Sequence, residues 1–416
     1  MAGSVATRED TATVTFRDVF AEGEYRALWL AQLLSIAGDQ FARVALAVLV
    51  YDRTGSAALA AVTFAVTTGA MFIGGLTLGW IADRYPRRRV MICCDLICLV
   101  LVLAMTVPRL PLTALVGLLF AVSLAIEPFL ASRSATNRAV LGKDRFSLGN
   151  GITMATYQVA QLAGFSLGGI VAAVAGTRTA LLIDAGTFAA SAVIIRLGVK
   201  ARRPKWQEDG AAPPGAARPE IWAGFRLVFA SPVASTAMLL MWLAAFLAAP
   251  EGIAAPLSRE LGGGTEGVGW LLAAMTAGAA AGPLLYNRFV RPAPRKRLVA
   301  VMAVEGCAFL ILFAVPHLGL AGALIILATS GVFTGYLSAA AGYIFDVIPD
   351  ERRGQVGGVV GAGMSLGQGT GVVVAGLACA VATPSDVIAV CGAAGTVIAV
   401  ILAVRWRAVT RGGNPT

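Results

Sequence analysis

Twelve apolar stretches, each near or above twenty residues, occupy most of this 416-residue chain. A helix of about twenty apolar residues crosses the roughly 30 Å of hydrocarbon in a bilayer. Hydrophobic residues make up 57% of the chain and charged residues 13%, whereas a soluble domain carries about a quarter charged residues. We therefore predict an all-α membrane protein. Its twelve helices, 1 to 12, are expected at about 27–51, 57–82, 88–107, 111–132, 148–175, 178–199, 232–257, 266–289, 297–315, 318–344, 354–381 and 384–405.

The Lys and Arg residues lie mainly in the even-numbered loops and at the two ends of the chain. Roughly 28 of the 33 fall on that side, and the odd-numbered loops hold Arg53, Arg109, Arg178 and Arg259. Because positively charged loops stay in the cytoplasm, both termini are predicted to be cytoplasmic. The polar residues before helix 1 do not have the pattern of a signal peptide, so we expect a multi-pass protein of the inner (plasma) membrane. The net charge of +10 is interpreted as a topology signal, and no nucleic-acid partner is expected.

A polar, Pro/Gly-rich segment divides the twelve helices six and six. The predicted units are a cytoplasmic segment 1–26, an amino-terminal six-helix bundle 27–199, a linker 200–231, a carboxy-terminal six-helix bundle 232–405 and a tail 406–416. A weak repeat relates the bundles, since shifting the first half along the chain aligns Gln161 with Gln368 and Gly164 with Gly371. Two similar bundles that rock about a shared site are typical of alternating-access transporters.

Asp39 and Arg43 are one helical turn apart near the middle of helix 1. Charges at that depth are costly and usually functional, and residues four apart share a helix face. We predict that they face a protein interior or a wet cavity and couple proton movement to transport. A static ion pair that fixes helix packing is the alternative. Glu127 in helix 4 is the second candidate for proton coupling.

Other acidic residues at membrane depth are weaker candidates. Asp184, Glu251, Glu305 and Asp346 lie in helices 6, 7, 9 and 10. Asp184, Glu251 and Asp346 are interpreted as structural or solvated groups near the membrane interfaces.

The loop between helices 2 and 3 carries a motif. Residues 79–89 read G-W-I-A-D-R-Y-P-R-R-R, with a degenerate copy at Asn287-Arg288 and 295–297 in the second half. The motif resembles the G-x-L-A-D-R-x-G-R-R signature of the major facilitator superfamily, with Ile81 and Pro86 as departures. The resemblance implies two pseudo-symmetric six-helix bundles. It also implies a cytoplasmic gate formed by Gly79, Asp83, Arg84, Arg87, Arg88 and Arg352.

Asp83 is expected to face the amino terminus of helix 11, where the helix dipole favours an anion. The alternative reading of the arginines is that they only determine topology.

Further segments resemble the drug:proton antiporter branch, which includes macrolide efflux proteins and the enterobactin exporter. They are Gly38-Asp39 with Arg43, residues 54–56, residues 131–133, Leu182-Ile-Asp184 and residues 348–354. Helix 5 resembles the antiporter motif G-x-x-x-G-P-x-x-G-G, with Ala160 and Phe165 at the first Gly and the Pro. Tight helix packing by small residues is the alternative reading of that motif.

Polar and aromatic residues of the helices expected to line the transport path are the candidates for substrate binding. They offer hydrogen bonds and stacking to an amphipathic molecule, with packing or lipid contact as the alternative. The candidates are Gln158, Gln161, Trp242, Phe246 and Gln368.

Enzyme chemistry finds little support in the sequence. His317 is the single histidine, so a Ser/His/Asp triad or a His-based metal site is not expected. The six cysteines lie in apolar helices without metal-ligand spacing, and the chain contains no G-x-x-x-x-G-K nucleotide motif. We expect a monomer without catalytic residues or a cofactor.

We predict a secondary transporter that exports a drug, siderophore or secondary metabolite in exchange for protons. The alternatives are a uniporter or importer and, from another class, a membrane sensor or lipid-modifying protein.

Overall fold

The computed structural model describes residues 15–78, 80–202, 221–289, 295–346, 348 and 353–411, and within these ranges it is helical and contains no strand. Twelve helices, α1 to α12, correspond in order to the twelve predicted ones. They are Gly23–Thr54, Ala57–Thr77, Arg87–Met105, Leu112–Gly142, Leu148–Val174, Thr177–Gly198, Pro232–Gly252, Gly264–Phe289, Arg295–Leu310, Leu320–Ile344, Arg353–Ala378 and Pro384–Arg411.

Ten of these helices are long and apolar enough to cross a membrane. The other two are α3, which begins with Arg87, Arg88 and Arg89 and carries Asp95, and α9, which continues as the 3₁₀ turn Ile311–Ala314. Charge in α3 and the short α-helical part of α9 explain why they differ from the rest. The predicted twelve-helix fold is confirmed.

Local sequence explains several helix ends. α1 is followed by its cap Gly55, whose φ of 63° is left-handed and suits glycine. α2 is preceded by its cap Ser56, whose side chain accepts a hydrogen bond from the Leu59 N–H at 3.3 Å. Gly142, with a φ of 66°, separates α4 from α5 inside one continuous helical stretch. α4 therefore extends about ten residues beyond its predicted end at 132, because the polar residues that follow continue the helix as far as this glycine.

The two halves have different interiors. In the carboxy-terminal half one apolar core extends from Val228 to Trp406. In the amino-terminal half the buried apolar residues form three separate clusters, around Phe188, Ile195 and Tyr25.

The halves contact each other at one end of the molecule. We call the end that carries Gly23 and Gly198 the terminus end, and the opposite end, which carries Gly55 and Gly262, the far end. Near the far end, α1 and α5 pack in a cluster of apolar residues on α8 and on the short helix Ala254–Glu260, which follows α7. Ala61 of α2 packs on Ala248 and Val372. The cluster comprises Val44, Val48, Phe165, Ala254, Ala255, Val268, Leu272 and Ala273.

Two glycines, Gly269 and Gly376, allow helices of the two halves to pack closely at the far end. A Cβ on Gly269 of α8 would lie 2.5 Å from the Phe165 carbonyl oxygen and 2.8 Å from Gly169 Cα. A Cβ on Gly376 of α11 would lie 2.3 Å from Ala61 Cβ. Larger side chains at these positions are incompatible with this closed arrangement of the far end.

A short helix, Phe16–Ala21, precedes α1 at the terminus end. Phe20 packs edge-on against Tyr25 and Trp29, with ring centroids 5.6 and 5.4 Å apart. The backbone N–H and the hydroxyl of Thr15 donate to Asp18, which lowers the pKa of that exposed carboxyl. Arg202, at the start of the predicted linker, pairs with Glu24 at 2.6 Å. A further helix, Ile221–Ala230, lies within the predicted linker 200–231, and the predicted domain boundaries stay predictions.

Candidate functional site

A cavity of about 330 Å³ lies inside the amino-terminal half. All of its lining residues lie between Gln32 and Phe188, and they come from α1 to α6. The cavity therefore penetrates one bundle and reaches α3 and α6, on the side of α1 and α4 away from the other half. Ligand pockets begin at about 300 Å³, so the cavity is large enough for a small organic molecule.

Three carboxyl groups from three helices line this cavity: Asp39 of α1, Asp95 of α3 and Asp184 of α6. Asp95 is 2% exposed and Asp184 is 1% exposed. Ser191 Oγ donates a hydrogen bond to Asp95 Oδ2 at 2.7 Å. Asp184 Oδ1 is buried and has no hydrogen-bond partner among the described residues. Asp39 lies within electrostatic range of both other carboxyls, so the site concentrates negative charge in a region of low dielectric constant.

Gly38 allows α6 to bring Asp184 to this position. A Cβ at residue 38 would lie 2.6 Å from Asp184 Oδ1 and 2.2 Å from Thr187 Oγ1. Because Gly38 has no side chain, α1 and α6 pack closely enough for the Asp184 carboxyl to lie in the cavity wall. Asp184 is therefore buried at a helix contact.

Arg43 lines the same cavity as Asp39, one turn further along α1. Its guanidinium carbon lies 5.6 Å from the centroid of the Phe64 ring, a cation–π contact. Arg43 is within electrostatic range of Asp39 and of Glu251 on α7 in the other half. Among the described residues the Asp39 and Arg43 groups form no ion pair within 4 Å, so Arg43 lies between two carboxyls instead of binding one.

Arg133 supplies a second guanidinium, from the part of α4 near the terminus end. Its Nε is buried without a hydrogen-bond partner in the described part of the chain, and Tyr25 and Tyr157 lie within electrostatic range. This second positive charge lies toward the terminus end of the cavity, and the three carboxyls lie deeper.

Glu127, the second predicted proton-coupling residue, lies against α2. A Cβ at Gly74 would lie 2.7 Å from Glu127 Cγ, and one at Gly75 would lie 3.4 Å from Glu127 Oε2. Its neighbour Ile126 lines the cavity, whereas Glu127 does not.

The five predicted substrate-binding residues also lie outside the cavity lining, and their role stays a prediction. Trp242 packs against α11, where a Cβ at Gly363 would lie 2.6 Å from Trp242 Nε1. Phe246 packs on α12 beside Gly395. Gln158, Gln161 and Gln368 are half-buried on α5 and α11. Within the described ranges, no group of three or more His, Cys, Asp or Glu residues is arranged to hold a metal ion.

The family model described as Major Facilitator Superfamily matches residues 28–255 and 251–416. The chain belongs to this superfamily. It is therefore a membrane transporter of small molecules, and its pseudo-symmetric halves are those of the superfamily fold.

Among curated relatives of this superfamily member are two proteins named enterobactin exporter EntS. The protein from Shigella boydii serotype 4 (strain Sb227) is 27% identical over 86% of each chain. The protein from Salmonella typhi is 26% identical over 91% of each chain. The relatives support a transporter of the exporter type.

Solved structures confirm the superfamily fold. A bacterial homologue of the lysosomal transporter Spinster, in an inward-facing and occupied conformation, aligns with a TM-score of 0.70 at 16% identity and covers 93% of this chain and 96% of that one. A transporter of the POT family in complex with 5-aminolevulinic acid aligns with a TM-score of 0.73 at 12% identity, with the same coverage.

The superfamily motif contributes contacts within the amino-terminal half. Arg87 donates to the Ala135 carbonyl oxygen at 3.2 Å, and Arg88 donates to the Arg196 carbonyl oxygen. Asp83 is exposed and has no ion pair among the described residues, while the guanidinium carbon of Arg84 lies 5.7 Å from the Trp80 ring. Gly79 and Arg352, the other two predicted gate residues, lie outside the described residues.

Sequence reasoning missed two features of this transporter. Asp95 was not among the acidic candidates, although an aspartate inside an apolar helix was a visible signal. At the far end, Arg259 pairs with Asp52 of the other half, and its guanidinium carbon lies 4.8 Å from the Tyr51 ring. Arg259 and Asp52 are 207 positions apart, and only their opposite charges in the odd-numbered loops hinted at this contact.

Proposed function

We propose that this chain is a secondary active exporter that moves a small amphipathic compound out of the cell in exchange for protons by alternating access. The observation that carries the proposal is the combination of a closed far end with buried carboxyls around a cavity. Closure by apolar clusters, glycine contacts and the Asp52–Arg259 pair is the arrangement that one of two alternating states requires.

The direction of opening follows from the predicted topology. With both termini cytoplasmic in the inner membrane, the far end is the outer face, and the described state is closed to the outside. The exposed Asp83 fits a cytoplasmic gate that is released in such a state. Gating by the motif residues Gly79, Asp83, Arg84, Arg87, Arg88 and Arg352 is part of this proposal.

Proton coupling is assigned to Asp39, Arg43 and Glu127. Arg43 lies between Asp39 of its own half and Glu251 of the other half, so movement of the halves changes which carboxyl it neutralises. A carboxyl that loses its cationic neighbour in a desolvated site favours the protonated form. One proton that enters down about 150 mV supplies roughly 3.5 kcal/mol, which supports an accumulation of a few hundred-fold.

Substrate binding is proposed for Gln158, Gln161, Trp242, Phe246 and Gln368 on helices that face the partner half. Enterobactin is the first test compound because of the relatives' names, and the cationic dye ethidium is the second.

The test uses the purified chain in proteoliposomes that contain a pH-sensitive dye. With an acidic lumen, an antiporter takes up the added compound while the lumen becomes alkaline. A uniporter gives flux that does not respond to the imposed gradient, and an importer coupled to protons responds to the opposite gradient. Compound-induced alkalinisation supports the proposal, and flux without proton movement rejects antiport.

A further inference from the structure

The carboxyl-lined cavity has a polar middle and an apolar far end. The carboxyls of Asp39, Asp95 and Asp184 surround its middle. Toward the far end, the walls consist of Leu46, Val102, Met105 and Leu119. Of these, Val102 and Met105 belong to the last turns of α3, and Leu119 to the part of α4 that begins at the far end. The cavity thus matches a molecule with a charged head and a short hydrocarbon tail.

The middle of the cavity contains an unused hydrogen-bond acceptor. A buried carboxylate oxygen without a donor is costly. Asp95 receives the Ser191 hydroxyl, whereas the Thr187 hydroxyl donates to the backbone oxygen of Asp184 at 2.7 Å. Asp184 Oδ1 therefore lacks a partner in a wall that another carboxyl, Asp39, also faces. A ligand with several N–H donors and a positive charge would satisfy it.

The two guanidiniums of the cavity leave this region negative. Arg43 lies over Phe64 and within electrostatic range of Asp39 and of Glu251 in the other half, whereas no guanidinium of the cavity acts on Asp95 or Asp184. Arg133 lies toward the terminus end of α4. An anionic head would meet three carboxyls in the middle of the cavity, whereas a primary ammonium brings three N–H donors to them.

We propose that this cavity binds a primary organic ammonium, with its head among Asp184, Asp95 and Asp39 and its tail against Val102 and Met105. The size of the cavity and its apolar wall favour an organic ion over a bare metal ion. The inference goes beyond the proposed function, because it places a site inside one half and holds whatever compound is exported and whether or not protons are exchanged.

The experiment measures binding by calorimetry to the purified full-length chain in lipid nanodiscs without any gradient. The probes share one tail: hexylammonium, hexyltrimethylammonium, hexanol and hexanesulfonate. We expect hexylammonium to bind most tightly. Hexyltrimethylammonium is expected to bind about tenfold more weakly, because it has no N–H donor for Asp184. Equal affinity for hexylammonium and hexanol, or for the two ammonium ions, would overturn the proposal.

Variants localise the binding. Asp184→Asn and Asp95→Asn should each weaken hexylammonium binding about tenfold or more. Glu305→Gln, which changes a membrane-depth carboxyl in α9 outside the cavity lining, is the matched control and should bind normally. Unchanged binding by both aspartate variants sinks the proposal. If thermal denaturation shows that Asp184→Asn does not fold, Asp95→Asn decides the matter alone.

Labelling gives an independent position for the bound ion. Cys98 lines the cavity within electrostatic range of all three carboxyls. In a chain whose other five cysteines are replaced by alanine, hexylammonium should slow alkylation of Cys98, and hexanesulfonate should not. Saturable binding without protection of Cys98 would place the ion elsewhere and reject the site. Loss of transport in any of these variants tests the proposed function separately, since binding is measured without flux.

Discussion

The two halves share one order of helices but differ in their interiors. The carboxy-terminal half buries one continuous apolar core, whereas the amino-terminal half divides its buried residues into three clusters, two of which contribute to the lining of a cavity. Among the described buried residues, the two charged ones, Asp95 and Asp184, both belong to the amino-terminal half. Buried carboxyls need polar partners or open space, so they keep the surrounding apolar side chains apart. A duplicated fold therefore does not require a duplicated function.

The carboxy-terminal half contributes charge where it meets its partner. Glu251 lies within electrostatic range of Arg43, and Arg259 forms an ion pair with Asp52. The amino-terminal half thus holds the carboxyl-lined cavity, whereas the carboxy-terminal half places its charged groups at the contact with its partner half.

The largest effect should be the loss of stability when a large side chain of an apolar core is truncated. Phe313 and Phe188 are 2% and 1% exposed, and each belongs to the core of one half. Phe313→Ala should lower the free energy of unfolding by about 3–5 kcal/mol. Phe188→Ala should cost about 1 kcal/mol less, because Phe188 already borders the cavity and the enlarged space can take up water. Thermal and denaturant unfolding in detergent measure the free energy of unfolding of both variants. Equal losses of stability would contradict the view that the two halves have differently packed interiors.

Proton-coupled transport should depend on a carboxyl of the amino-terminal half and not on one of the carboxy-terminal half. Asp39→Asn should leave the protein folded but reduce proton-driven flux about a hundredfold, equivalent to about 2.7 kcal/mol. The physical reason is that the amide cannot carry the proton. Dye-loaded proteoliposomes measure the flux, with Glu305→Gln in the other half as the control. Undiminished flux in Asp39→Asn would move the role to Glu127, and Glu127→Gln tests that directly.

The helices were predictable because the bilayer itself sets their length and composition. The twelve predicted stretches differ from the structure by a few residues, except at the end of α4, where Gly142 and not the loss of hydropathy ends the helix. The place of Asp39 beside a cavity was also predictable, since a charge in an apolar helix is costly unless it faces a protein interior or a wet cavity.

The site was less predictable because it is made by helix packing. Asp184 faces the cavity only because Gly38 lets α6 approach α1, and nothing in the sequence around Asp184 indicates this approach. Asp95 follows a run of arginines, so its charge resembled part of a helix end. Trp242 and Phe246 have suitable chemistry, but in this structure they pack against α11 and α12.

Contact between the halves at the far end should tolerate no side chain at Gly269. In Gly269→Leu the new atoms meet the Phe165 carbonyl and Gly169, and both are backbone atoms that cannot move aside. We expect flux to fall about tenfold, or about 1.4 kcal/mol, because closure of the far end is prevented.

Gly117→Leu is the control, since a Cβ there meets nothing within 4 Å. A thiol introduced by Val48→Cys in the far-end cluster should react faster in the Gly269→Leu background than in the Gly117→Leu background. Equal reactivity would mean that the far end still closes.

The smallest effect should come from the ion pair that joins the halves at the far end. Arg259 and Asp52 have about half of their side-chain surface exposed, so solvent screens their attraction. A double-mutant cycle with Arg259→Gln and Asp52→Asn should give a coupling free energy of about 0.2–1 kcal/mol that decreases with added salt. The Tyr51 ring contact with Arg259 should persist in Asp52→Asn, so it cancels from the coupling free energy. It should instead appear as a salt-independent loss of stability when Arg259→Gln is made in the Asp52→Asn background. A coupling free energy of several kcal/mol would show that this ion pair, and not the apolar clusters between the halves, holds the far end closed.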